Sequence, residues 1–468
     1  MKEIQDILKK IENFEEDQLF VIDAITGTEY SYADIYQKAN YIGKNLRDRG
    51  ILELIVCMEN SVELLMMYFA ALLYQIVIIP VDPEKSKEEI KIIRDIHSCA
   101  MYMERDYFEQ VSIWNGLEMK KSFEDVDYDS LFLITYTSGS TGKPKGVRHS
   151  AGNLFLSAVS FGEHMGYGAH TILAHVMPMT YMAGILNSIF LPFVMGGKVV
   201  VFPRFNMKSA FTFWKTVTRH KVNTFWLSPT MLKIIDIIDA KGVYKDYLQN
   251  INATVSVGTA PLYKDLRDKI ENKYNIRVYQ SYGLSETLFL TSEKLGEDTR
   301  SDSVGQLLPG VKLKLDDDNE IQVAVPWMFR GYVNNDAYEE FLGDYYRTGD
   351  LGYIQDDCLF INGRKKDLII RGGFNINPSD IMECLQKING INENVVLSCV
   401  LNGEEQIICC YAGSKKQDIH LLNELLEKEL GKHYKLDYLI EFDELPKNLN
   451  GKLDKQKIRE MIEHDYEI

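Results

Sequence analysis

Residues 137–145 read "TSGSTGKPK", directly behind the apolar run "LFLIT". Small hydroxyl residues, glycines and lysines bury little apolar surface and cost chain entropy to order, so the stretch is expected to exist for something it binds. Backbone N–H groups of small residues in successive turns form an anion nest, and hydroxyls and lysines add charge-assisted donors. A solvated flexible turn would have the same composition. A P-loop is excluded. It needs a glycine five positions before the Gly-Lys pair and a Ser or Thr after the lysine, where Thr137 and Pro144 stand.

Further polar, glycine-bearing turns follow apolar strands. "ATVSVGTAPL" ends a buried-type strand in Gly258, Thr259 and Ala260, and "VYQSYGLSET" runs into Tyr282, Gly283, Ser285, Glu286 and Thr287. Both are placed at carboxyl ends of parallel strands, where open α/β sheets hold ligands. "YYRTGDLGYI" sets Asp350 in a Gly-flanked turn, "GRKKDLIIRGGFNINPSDI" follows it, and "LPKNLNGKLDK" presents Lys452 after Gly451. Each alone reads equally as a structural turn.

The elements that must position these residues are legible as alternation. Strand-like runs precede helical ones ("LELIVCM" before 61–75, "TILAHVMP" before "GILNSIFLPFVMGG", "VNTFWLS" before "PTMLKIIDIIDA"), which predicts layered α/β structure with largely parallel sheets. From about residue 304 short strands and turns predict a small antiparallel or barrel-like unit. A fresh β/α pattern after "GRKKDLII" predicts a smaller α+β lobe, with the boundary near Gly363 to Asp367.

The 468 residues are 46% hydrophobic and carry a formal net charge of -16, so more than one core is expected and nucleic acid is excluded as principal partner. The amphipathic, charged N-terminus lacks the pattern of a secretory signal. "LLMMYFAALLYQIVIIPV" approaches the length of a membrane span but divides into a helix and a short β-branched strand, neither long enough to cross. The seven cysteines show no C-x-x-C spacing and no Cys/His cluster, which predicts reduced, mostly buried thiols, no zinc site and a cytoplasmic protein.

In order and spacing, these segments resemble the motifs of the adenylate-forming superfamily of acyl-CoA synthetases, nonribosomal peptide synthetase adenylation domains and firefly luciferase. The resemblance runs from "YSYADIYQKANYIGKNLRDRG" to Lys452. It implies an AMP-binding domain over residues 1–365, a mobile lid over 366–468, and an active site between them. By the same resemblance, Thr137, Ser138, Gly139, Ser140, Thr141, Gly142 and Lys145 hold the β- and γ-phosphates of ATP. Gly258, Thr259, Ala260 and Gly283 line the adenine site with Tyr282 on the purine face. Glu286 is the magnesium-associated carboxylate and Thr287 lies near the α-phosphate. Asp350 takes the ribose hydroxyls, Arg364 adds charge, Lys366 is the hinge, and Lys452 bridges the substrate carboxylate and the α-phosphate. Gly372 and Gly373 are expected at the thiol channel.

A carboxylate attacking an α-phosphate meets like charge, so the catalyst must neutralise and align both partners, and needs no general base. His149 and His175 are accordingly expected in packing or polar networks. The implied activity is formation of an acyl adenylate from a carboxylic acid and ATP with Mg2+, then transfer to a thiol, either CoA or the phosphopantetheine of an acyl carrier protein. A nucleotide-binding regulatory protein with degenerate catalysis is the alternative outside enzymes. Tyr181 stands where many acyl-CoA synthetases carry histidine, and "TYMAGILNS" has no acid for a substrate ammonium, which disfavours α-amino acids. Tyr181, Met182 and Leu288, with Phe289, line the acyl pocket or belong to the core. "NEIQVAVPWMFRGY", Asp380 and Met382 also depart from the usual pattern.

Overall fold

The computed structural model describes residues 2–12, 17–106, 108, 121–137, 144–297, 302–333, 340–371, 373–401, 404–448 and 452–466. Contacts divide the chain into two units: Met1–Lys312 with Ala324–Asp344, and Leu313–Val323 with Tyr345–Ile468.

The larger unit holds two sheets. In the first, Met101–Met103, Glu53–Val56, Val77–Pro80 and Leu131–Thr137 are parallel in that spatial order, and Lys145–Ser150 closes the row antiparallel to Leu131–Thr137. In the second, Leu19–Asp23, Lys198–Val201, Ile172–His175, Thr224–Leu227, Thr254–Val257 and Val278–Leu284 are parallel neighbours. Leu288–Ser292 then returns antiparallel. The β-branched, nearly continuous apolar strands suit sheets covered on both faces.

Local signals start the helices. Ser31 and Asp34 form a reciprocal capping box at Tyr32–Asp48, and Ser61 caps Val62–Leu73. That second helix is the first half of the long apolar run. All its residues except Glu63 are buried. It turns through Gln75, at φ 51°, into the strand Val77–Pro80, so the run is core. Among the described residues no helix is long and apolar enough to cross a membrane.

The helix Ala183–Phe190 is wound wider than an α-helix, the Leu191 N–H reaching back to the Leu186 carbonyl. Pro192, which has no N–H, follows at once. Gly184 opens this helix against the preceding loop, where a Cβ would stand 1.9 Å from the Pro178 carbonyl oxygen.

In the smaller unit, Glu320–Ala324, Tyr345–Gln355 and Cys358–Arg364 form antiparallel pairs. Asp356 and Asp357, both at positive φ, make the two-residue turn of the second hairpin. Ile391–Leu401, Glu404–Gly413 and Tyr438–Phe442 build a separate mixed sheet. Alternate residues of its central strand point into opposite apolar layers. Ile407, Cys409 and Tyr411 meet Ile381, Leu385, Leu422 and Leu426, while Ile408 and Cys410 meet Ile458 and Ile462. Three cysteines are buried, Cys358, Cys409 and Cys410, and Cys99 is exposed. Burial pushes the Cys410 thiol up to about 12 and raises that of Cys409 further.

Because backbone rather than a yielding side chain blocks the space at Gly184, Gly184→Ala is expected to destabilise the protein by about 1–3 kcal/mol, the scale of core overpacking. Chemical denaturation would register this as a lower midpoint at unchanged slope.

Candidate active site

The hydroxyl-rich loop joins two antiparallel strands whose last cross-strand pair is Thr137 and Lys145. Ser138, Gly139, Ser140, Thr141 and Gly142 lie outside the described residues, so the structure defines the stem. The segment Arg330–Val333 runs along Lys145–Ser150 as a further edge: Arg330 N–H donates to the Arg148 carbonyl (2.7 Å), Arg148 N–H to Gly331 (3.1 Å) and Val333 N–H to Gly146 (2.9 Å). This pairing brings the Tyr332 ring to 4.4 Å from the Lys145 Nζ. The lysine also forms an ion pair with Glu340 at 3.2 Å.

The second component is the turn Tyr282–Thr287, between the last parallel strand and its antiparallel return. Gly283 is required there, since a Cβ would lie 1.9 Å from the Leu288 carbonyl oxygen. Leu288 itself has φ 55°. Thr287 is fully buried; its Oγ1 accepts from the Leu284 N–H at 3.3 Å and its carbonyl from the Trp327 indole at 2.8 Å. Tyr332 Oη donates to the Glu286 carboxylate at 2.9 Å. Lys145, Tyr332 and Glu286 are therefore contiguous, joining the stem of the hydroxyl-rich loop to the acidic turn.

His149 makes the second link. Its Nε2 lies 2.6 Å from the Ser285 carbonyl oxygen, which makes Nε2 the protonated nitrogen, and Nδ1 faces the Asn153 amide at 3.5 Å. Asn153 also donates to the Met328 carbonyl at 2.7 Å. Complete burial pushes the imidazole pKa down from 6.5 to about 4, so it is neutral at pH 7. His175 is likewise wholly buried and pushed to about 4 by desolvation.

Gly258, Thr259 and Ala260 follow Thr254–Val257, the parallel neighbour of Val278–Leu284, so both loops leave adjacent carboxyl ends. A Cβ on Gly258 would come within 3.1 Å of Ser281 Oγ and the Trp226 ring. Thr259, β-branched, adopts φ 72°, and its hydroxyl is buried without a hydrogen-bond partner. Backbone held in that region costs energy and is concentrated at binding loops. Tyr282 is half-buried. Met182 and Leu288 belong to the large apolar core, and Tyr181 packs against it.

Within the smaller unit, Asp350 and Arg364 are cross-strand partners, the buried carboxylate receiving Nε at 2.8 Å. Lys365 contacts Asp318 at 2.7 Å and Glu320 at 3.2 Å, and Arg347 reaches the same Glu320 at 2.9 Å. Lys366 is exposed at its surface, and partial desolvation together with the nearby Arg364 charge lowers its pKa. Lys452 sits in a turn closed by its N–H to Asn448 Oδ1 (3.1 Å) and the Asn448 N–H to its carbonyl (2.7 Å). Gly373 has φ 82° with open space around it, and Gly372 lies outside the described residues. Among the described residues no three His, Cys, Asp or Glu side chains gather as a metal cage. A single carboxylate such as Glu286 suits magnesium, which is held by one or two carboxylates together with substrate phosphates.

Tyr332, Trp327 and Glu340 were not singled out by their residue types. The sequence signal for Trp327 and Tyr332 is the aromatic cluster in "PWMFRGY", read there as a departure from pattern, and Glu340 has none.

Residues 9–333 match the family model of AMP-binding enzymes, and the chain belongs to that family. It is 26% identical to a 2-succinylbenzoate–CoA ligase of Bacillus cereus over 92% of this chain and 94% of that protein. It is also 26% identical to bacitracin synthase 3 of Bacillus licheniformis over 92% of this chain, but spans only 7% of that protein. The fold is that of the o-succinylbenzoate CoA synthetase MenE of Bacillus subtilis. Against its complex with ATP and a magnesium ion the TM-score is 0.84, at 20% identity and covering 97% of this chain and 99% of that one. Against its complex with the acyl-adenylate intermediate OSB-AMP the TM-score is 0.83, at 20% identity and 97% coverage of each chain.

Both buried histidines have folded pKa values near 4 against 6.5 unfolded. The unfolded chain therefore binds more protons between those values. The histidines' contribution is fully present above about pH 6.5 and is lost as pH falls towards 4, roughly 3 kcal/mol each. His175→Leu is expected to flatten this acid-side loss, measured as the slope of melting temperature between pH 6.5 and 4.5.

Proposed function

We propose that the protein activates a carboxylic acid with ATP and passes the acyl group to the thiol of CoA. The observation that carries this reading is the junction of Lys145, Tyr332, Glu286 and Thr287 behind the hydroxyl-rich loop, in a chain of the AMP-binding family. The CoA ligase named among its relatives aligns over nearly its whole length.

In the first step a carboxylate oxygen forms a bond to the α-phosphorus of ATP and the bond to pyrophosphate breaks. In the second, a thiolate sulfur attacks the acyl carbon, the C–O bond to AMP breaks, and the thiol proton leaves to solvent. Thr137 to Gly142 and Lys145 hold the departing phosphates, Gly258 to Ala260 and Tyr282 the adenine, and Asp350 beside Arg364 the ribose. Magnesium, when bound, supplies positive charge against the phosphate oxygens, and Glu286 would hold it. Thr287 stands beside the α-phosphate, and Lys452 neutralises the attacking carboxylate. Tyr181, Met182 and Leu288 face the acyl group, and without a carboxylate in that stretch the acyl group is uncharged or weakly polar at its α-position. Residues 366–468 act as a lid turning about Lys366, which lies in the short turn Lys365–Asp367, and Gly372 and Gly373 then admit the thiol.

Pyrophosphate release across a panel of carboxylic acids tests the reading. It is supported by release that needs both acid and ATP, with AMP and thioester formed only when CoA is added. Transfer solely to a phosphopantetheine carrier would replace CoA as acceptor, and no acid-dependent release would end the proposal. Lys452→Ala is expected to slow adenylation about a hundredfold or more, the scale of losing one preorganised electrostatic group, while sparing thioester formation from supplied acyl adenylate. Equal losses in both half-reactions would contradict its role. Lys366→Pro, by fixing φ at the hinge, is expected to slow the full cycle while the melting temperature holds; an unimpaired cycle rate would count against rotation there.

A further inference from the structure

We propose that Tyr332 is a positioning residue of the adenylating site: its phenol fixes the Glu286 carboxylate in the orientation that receives the metal of magnesium-ATP. The inference rests on the function proposed above and adds a residue to which that reading gives no role.

A carboxylate at the end of a glutamate rotates readily, because its terminal torsion is broad. A donor on one oxygen removes that freedom and aims the other. Tyr332 Oη supplies such a donor at 2.9 Å from Oε1. The tyrosine is itself held. Only 4% of it is exposed, it is bridged to Val147 as an antiparallel pair, and Phe329 packs edge-on against it with centroids 5.0 Å apart. Its two flanking residues are also tied down, Gly331 accepting from Arg148 and Val333 donating to Gly146.

The placement is also economical in what it joins. Val147 lies two residues beyond Lys145, so the strand that follows the hydroxyl-rich loop is bridged to the tyrosine that orients the carboxylate. The tyrosine's own ring stands 4.4 Å from the Lys145 ammonium. A buried hydroxyl directed at a carboxylate, rather than at a main-chain carbonyl, is not needed to satisfy the backbone of either segment. Their main-chain bonds are already made, Phe329 N–H donating to the Glu286 carbonyl and the Arg330–Val333 edge pairing with its neighbour strand.

The test uses the full chain and Tyr332→Phe, which deletes one oxygen and keeps the ring. ATP affinity is measured by calorimetry, without acid, in magnesium and in EDTA. Removing a residue that orients a metal-binding group costs about 10- to 100-fold in metal affinity. Y332F is therefore expected to lose about tenfold of the magnesium-dependent gain in ATP affinity. Affinity in EDTA and the KM for the acid in pyrophosphate exchange should stay at wild-type values. In an E286Q background the same change should add nothing further, because the tyrosine acts through that carboxylate. Wild-type magnesium dependence in Y332F, equal weakening with and without metal, or independent, multiplying effects of Y332F and E286Q would each overturn the proposal. A wild-type protein that binds no ATP under either condition would remove the functional reading along with it. Normal magnesium-ATP binding by both proteins would remove the tyrosine's role alone.

Discussion

A buried hydrogen bond from the His149 imidazole to the Ser285 carbonyl ties the two sheets of the larger unit together beside the proposed site. A carbonyl in the middle of a tight turn has no strand partner, and leaving it unpaired inside the protein would cost about 1–3 kcal/mol. A histidine from the other sheet meets that need, and its burial keeps it neutral, with its second nitrogen turned to Asn153. The glutamate and threonine that follow Ser285 thereby acquire a fixed position relative to the strand Lys145–Ser150. The aromatic edge at Phe329 to Tyr332 closes the same gap from the side. The lysine and the carboxylate thus keep their places through a side-chain bond between the sheets and main-chain pairing along one edge.

Charge is managed locally throughout. The chain is strongly acidic overall, with a formal net charge of -16, yet the proposed anion loop ends in two lysines, Lys143 and Lys145. In the smaller unit the buried Glu320 is met by both Arg347 and Lys365. A carboxylate removed from water at that depth is tolerated only when paired and hydrogen-bonded. The cost of losing one partner would fall on the hairpin that also carries Asp350 and Arg364. The ribose-binding pair proposed here is therefore supported by a second ion-pair set a few residues away.

Much of the architecture was legible in the sequence because it depends on local, periodic signals. The break of the long apolar run into helix and strand could be read from the β-branched "IVIIPV", and the structure places the break at Tyr74 to Ile76. The loops after Val257 and Leu284 could be assigned to strand ends because glycine-bearing turns behind apolar strands have few other uses. The supporting contacts were not legible. Tyr332 meets Lys145 and Glu286 only because a segment near residue 331 pairs with a strand near 147, a register no local pattern encodes. The role of His149 depended on a carbonyl 136 positions away. The strain at Thr259 was hidden for the opposite reason, since a threonine is the wrong residue for positive φ and only the surrounding packing imposes it.

The adjacent Cys409 and Cys410 sit side by side in sequence yet belong to different apolar layers, because successive residues of a strand face opposite ways. Both thiols are buried and hard to ionise, so an alkylating reagent can modify either only after its own layer has parted. The pair is consequently a built-in reporter of how the terminal sheet comes undone. Unequal labelling would reveal whether the helix Lys455–Tyr466 peels away before the helices on the opposite face let go.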